Sequence, residues 1–92
     1  MYLIKENKKF RKSVKKILRA GKIERADIQN IVEILASGGK LKPKNKDHEL
    51  KGKFQGIREC HIEYDMLLLY QVDEKNEILI LVNVGSHSDL FG

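Results

Sequence analysis

Three histidines, His48, His61 and His87, fall in the second half of this 92-residue chain, in the contexts K-D-H-E-L-K-G, R-E-C-H-I-E-Y-D and G-S-H-S-D-L-F-G. Imidazole ordinarily titrates near 6.5, so it can give or take a proton at cellular pH. With carboxylates close by and a basic first half, these residues suit acid–base chemistry on an anionic substrate. Their intervals of 13 and 26 residues match no short metal-ligand motif, so neither a metal nor another cofactor is expected. Only the fold can bring them together.

RNA cleavage by this route needs few groups. A base takes the proton from a ribose 2′-hydroxyl, which attacks the adjacent phosphorus. An acid protonates the departing 5′-oxygen, and a cation or hydrogen-bond donor stabilises the transition state. His48, His61, Asp65 and His87 could divide the proton transfers, while Arg58, Lys51 and Lys53 could hold phosphate. Glu59, two residues before His61 and so on the same strand face, is a further candidate. Each has a plainer reading. His48 could be an exposed strand-start histidine, His61 a packed one with a single hydrogen bond, and Asp65 a turn former. His87 and Asp89 could cap a final helical turn, and Phe91 could plug the core or stack on a base. Cys60 is expected to face the core rather than act as a nucleophile.

The elements that must position these groups follow from the pattern of apolar residues. Tyr2 to Ile4 suits a first strand. Asn7 offers an N-cap, and Phe10, Val14, Ile17 and Leu18 form one helical stripe among lysines, ended by Gly21. A second helix is predicted from Glu24 to Ala36, stopped by Ser37-Gly38-Gly39. Residues 38–47, G-G-K-L-K-P-K-N-K-D, form a linker outside regular structure. A brief strand follows at His48–Lys51, then a turn over 53–56. Ile57–Glu63 alternates, with Cys60 and Ile62 on one face and Ile57, Glu59 and His61 on the other. Tyr64-Asp65 turns the chain, and Met66–Val72 with Ile78–Val84 reads as a central antiparallel hairpin. The two helix stripes should face each other and one side of a mainly antiparallel sheet of four to five strands, an α+β sandwich of one domain, 1–92. The other sheet face is then expected to be open to substrate.

Composition narrows the setting. A single cysteine rules out an intrachain disulfide and suits a reducing cytosol. Met1 leads into Y-L-I-K-E-N without a secretory-signal pattern, and no apolar run nears the ~20 residues of a bilayer span. The expected protein is soluble, cytoplasmic and off the membrane. Residues 1–53 hold 16 Lys+Arg against 6 Asp+Glu, whereas residues 54–92 hold 2 against 7. A basic field of this kind favours nucleic acid or the ribosome as partner.

Taken together, K-D-H-E-L-K-G-K-F-Q-G-I-R-E-C-H-I-E-Y-D-M-L-L-L-Y and the terminal G-S-H-S-D-L-F-G resemble the YafQ branch of the RelE/ParE toxin superfamily. The matching stretches cover most of residues 46–92; the first half matches only in its order of elements. The resemblance implies a RelE-like fold and the toxin of a bacterial type II toxin–antitoxin pair. It also implies an mRNA interferase that cuts messenger RNA in the ribosomal A site and is silenced by a cognate antitoxin. Carried over by motif, His48, His61, Asp65 and His87 take acid–base and phosphate roles, and Phe91 shapes the nucleotide pocket. Met66 stands where some members have tryptophan, which leaves base stacking at that position without its aromatic.

The histidine-rich set favours this reading over its alternative, a non-enzymatic ParE-like inhibitor or binding module acting through the basic helix hairpin. A three-histidine metal site is a third and weaker idea. The acidic, partly disordered antitoxin expected as partner would fold on the basic surface.

Overall fold

A computed structural model describes residues 1–92. Its sheet is ordered β1-β5-β4-β3-β2, with strands β1 (Leu3–Glu6), β2 (His48–Glu49), β3 (Arg58–Glu63), β4 (Met66–Asp73) and β5 (Ile78–Gly85). The apolar runs Met66–Val72 and Ile78–Val84 become the central hairpin, as their near-continuous hydrophobicity requires of strands covered on both faces. β1 joins the edge in parallel to β5, pairing Leu3 with Ile78, and every other pairing is antiparallel. The parallel pairing is possible because the chain between contains a long crossover with both main helices.

Helix α1 (Lys8–Arg19) and helix α2 (Arg25–Ala36) cover one sheet face. The predicted stripes are the buried ones: Phe10 and Ile17 from α1, and Ile28, Ile31, Val32 and Ala36 from α2, share one core with Cys60, Met66, Leu68, Tyr70, Leu79, Leu81 and Val84. Each such leucine adds about 1.5–3 kcal/mol when fully buried. Asn7 occupies the α1 N-cap position without a side-chain cap bond. Gly21, at φ 69°, takes the left-handed turn that leaves the helix. Glu24 and Asp27 form a reciprocal capping box at the start of α2.

Three expectations change. The segment 38–47 is not free of regular structure: Pro43–Asn45 forms a 3-10 turn, and Asn45 is buried. Its amide nitrogen Nδ2 donates to the His61 carbonyl at 2.7 Å, which docks the turn on β3 beyond the reach of β2. β2 itself is only two residues, and Gly52–Phe54 forms a second 3-10 turn. The second sheet face is not bare either. Leu67 and Leu69 lie outside the helix-side core, yet they are 2% and 3% exposed.

A short third helix, α3 (His87–Phe91), follows β5 directly. Ser86 caps it: its hydroxyl accepts the Asp89 N–H at 3.2 Å, and Asp89 Oδ2 accepts the Ser86 N–H at 3.0 Å. A Cβ added at Gly85 would lie 3.0 Å from the Asp89 Cβ, so the glycine permits the close approach of α3 to the strand end. The Ser86 hydrogen bonds hold the Asp89 carboxyl below its usual range. No helix is long and apolar enough to cross a membrane.

Candidate active site

Register decides which candidates meet. In β3, Cys60 pairs with Leu68 on the helix side, so Glu59 and His61 face the other way, opposite Leu69 and Leu67. β2 pairs His48 with Glu59, which puts His48 on that same face. Two strands thus bring two imidazoles to one carboxylate. Glu59 Oε1 lies 3.5 Å from His48 Nε2 and 3.8 Å from His61 Nε2. The Glu59 side chain is 8% exposed, against 51% for His48 and 25% for His61. These are charge-pairing distances rather than short hydrogen bonds, and such contacts commonly tighten only when substrate arrives.

His48 is held from behind. Its Nδ1 lies 2.7 Å from the carbonyl oxygen of Lys46. A carbonyl only accepts, so Nδ1 carries a hydrogen and Nε2 is the nitrogen offered to Glu59 and to substrate. Lys46 adopts φ 46°, ψ 46°, the left-handed region that a non-glycine residue enters at some cost. That conformation is what aims its carbonyl at the ring.

A second network sits on the helix side of β3. The Tyr70 hydroxyl donates to Asp47 Oδ1 at 2.5 Å, and Arg58 Nε lies 3.3 Å from both Asp47 Oδ1 and the Tyr70 oxygen. The Tyr70 hydroxyl, and after it Asp47, raise the Arg58 pKa against an opposing desolvation. Burial and the Asp47 bond push the Tyr70 phenol above its usual range. Arg58, expected to hold phosphate, is therefore committed to Asp47 and Tyr70 on the face opposite Glu59 and His61. It anchors the residue that precedes His48.

The remaining candidates gather at α3. Asp65, in the β3–β4 turn, accepts the backbone N–H of His87 through Oδ1 at 3.1 Å. His87 and Phe91 are four residues apart on α3, and their rings lie 5.0 Å between centroids. Phe91 meets Phe54 edge to face at 5.2 Å and 85°. Lys53 Nζ lies 5.5 Å from the centroid of Phe54, within cation–π range. Lys51 is the N-cap of the Gly52–Phe54 turn. His61 pairs with Leu67, and Leu67 with Gly85, two residues before His87. Two strand spacings put the His61 and Gly85 backbones about 10 Å apart.

The three histidines consequently form a pair and a single, not one cluster. No group of three or more His, Cys, Asp or Glu side chains is arranged to hold a metal ion. Burial pushes the Cys60 thiol up to about 12, which leaves it inert as a nucleophile. The α1 lysines belong to the helix layer, on the other side of the sheet from Glu59, and Lys9 and Lys16 lie instead beside Asp89 of α3. Sequence reasoning missed Asp47, Tyr70 and Asn45, whose roles depend on non-local contacts. The aromatic at position 54 carried no signal beyond its turn.

Residues 2–92 match the family model described as "Bacterial toxin of type II toxin-antitoxin system, YafQ". The curated "mRNA interferase toxin YafQ" of Escherichia coli K12 is 40% identical over 47 residues, which are 51% of this chain and 49% of that protein. The match thus spans about half the length of that relative. Among solved structures, a metal-bound toxin from Helicobacter pylori is 42% identical with a TM-score of 0.92, covering 99% of this chain and 100% of that one. The toxin in the E. coli DinJ-YafQ complex is 26% identical with a TM-score of 0.89, covering both chains completely.

Proposed function

The chain belongs to the YafQ family of bacterial type II toxin–antitoxin toxins, and we propose that it is an endoribonuclease that cuts messenger RNA in the ribosomal A site. The observation that carries this reading is the pair of imidazoles on one nearly buried carboxylate, His48 and His61 on Glu59. A carboxylate between two imidazoles stabilises the imidazolium that forms when either ring takes a proton. The 2′-hydroxyl would lose its proton to this pair. The departing 5′-oxygen would receive one from His87, at the start of α3. The Phe54–Phe91 wall and Lys53 would bind base and phosphate. This route runs through side chains alone and needs no metal-bound group.

The curated E. coli relative is named an mRNA interferase, and the E. coli structural neighbour is a complex with DinJ. By that likeness a cognate antitoxin is the proposed partner, and the cytoplasm the proposed setting. The test is primer extension on a translated messenger after brief induction, comparing wild type with His87→Ala. Cuts inside the reading frame that vanish in the variant are expected. Growth arrest with no new RNA ends would replace this reading with that of a ParE-like binding inhibitor.

A further inference from the structure

Tyr64 is 95% exposed at the turn between β3 and β4. The other two tyrosines are engaged, Tyr2 with Glu74 and Tyr70 with Asp47. A ring left in solvent adds little to the core and is open to contact from outside the fold. Beneath it lies a cavity of about 310 Å³ lined by Lys44, Lys46, His61 and Glu63 together with Asn45 and Ile62, at the lower end of sizes for small-ligand sites. Neither lysine pairs with a carboxylate. Both are carried by the turn that Asn45 pins to the His61 carbonyl, so their backbone positions are built into the fold.

We propose that this cavity is a nucleotide subsite beside the scissile phosphate, with Tyr64 as its stacking platform. Lys44 and Lys46 would hold the phosphate, and Glu63 would accept from amino groups on the base edge. The assignment rests on the RNA reading above, and its link to the reaction is His61, which lines the cavity and also lies 3.8 Å from Glu59. An RNA strand lying along the catalytic face would continue past His61 into the cavity. Met66, at the position next to Asp65, is buried and offers no ring. Tyr64 supplies the aromatic surface from two residues earlier.

The experiment measures binding and cleavage separately. Binding of a 2′-O-methyl RNA octanucleotide, which lacks the attacking hydroxyl, is followed by fluorescence anisotropy for wild type, Tyr64→Phe, Tyr64→Ala and the double variant Lys44→Gln/Lys46→Gln. Tyr64→Ala should weaken binding roughly five- to hundredfold, the range of one stacked base, and Tyr64→Phe should retain wild-type affinity. The lysine pair should lower affinity for all sequences and reduce the salt dependence by up to about one unit of slope per contact. On a translated messenger, Tyr64→Ala should redistribute the cuts according to the base beside them. Equal affinity and identical cuts in all variants would overturn the subsite while leaving the nuclease intact. Lost octanucleotide binding in Tyr64→Ala, from a wild type that makes no cuts, would uphold the subsite and overturn the nuclease.

Discussion

Asp65 reaches across from the β3–β4 turn to accept the His87 backbone N–H at 3.1 Å. The bond ties the turn that ends the histidine strand to the first residue of α3. It therefore gives Asp65 a positioning function, alongside the acid–base role its motif suggests. Asp65→Asn keeps an acceptor oxygen, whereas Asp65→Ala removes it. If positioning dominates, Asp65→Asn should retain cleavage to within roughly tenfold while Asp65→Ala loses more. Equal and complete loss in both variants, with unchanged circular dichroism, would mean that the carboxylate itself moves a proton.

Glu59 holds two imidazoles by one oxygen. Glu59→Gln preserves its size and removes its charge, so cleavage should fall by about 100-fold while the fold is kept. The check is single-turnover cleavage across the neutral range. A rate close to wild type would reduce Glu59 to packing.

Tyr70→Phe deletes the hydroxyl that donates to Asp47 and leaves the aromatic core contacts in place. Losing a part-buried hydrogen bond to a charged acceptor should cost about 1–2 kcal/mol in urea unfolding. Because Asp47 precedes His48, activity should fall as well, even under conditions where the variant is fully folded. Unchanged stability would show the network to be incidental.

Asp89 makes α3 sensitive to acid. Its pKa is lowered in the folded protein by the Ser86 hydrogen bonds, so its contribution is complete above the ordinary carboxylate pKa of about 3.9 and is lost as pH falls through the lower folded value. Hydrogen-exchange protection of the Ser86 and Asp89 amides, the two N–H groups in the capping pair, should hold from neutral pH down to that range and fall below it. In Asp89→Ala, α3 should already be loosened at neutral pH, with no further acid step. An unchanged acid step in that variant would place its origin elsewhere.

Much of this arrangement was legible in the residues. Long, strongly patterned segments stated their own structure: the α1 stripe of Phe10, Val14 and Ile17, and the runs on either side of 73–77. Alternation along 57–63 correctly separated Cys60 from Glu59 and His61, which is why the strand face carrying Glu59 could be named. What was not legible depended on partners distant in the chain. Arg58 read as a phosphate holder because Tyr70, twelve residues away, gives no sign of facing it. The Pro43–Asn45 turn read as a wet linker because a lone Asn45 cannot announce that its amide will satisfy the edge carbonyl of His61. Short elements such as β2 depend on tertiary pairing more than on propensity, so their ends moved most.

The pairing of Leu3 with Ile78 sets an order of events for the chain as it is made. Of the strands, β1 emerges first and has no partner in the sheet until β5, the last strand, is complete. His48, Glu59 and His61 are then already present, but the sheet that aligns them is missing its centre, and α3 has yet to follow. Closure of so wide a span is entropically slow compared with forming the local helices. The candidate site is therefore completed late in folding, because α3 with His87 follows β5 and the sheet behind it closes only when the two distant strands meet.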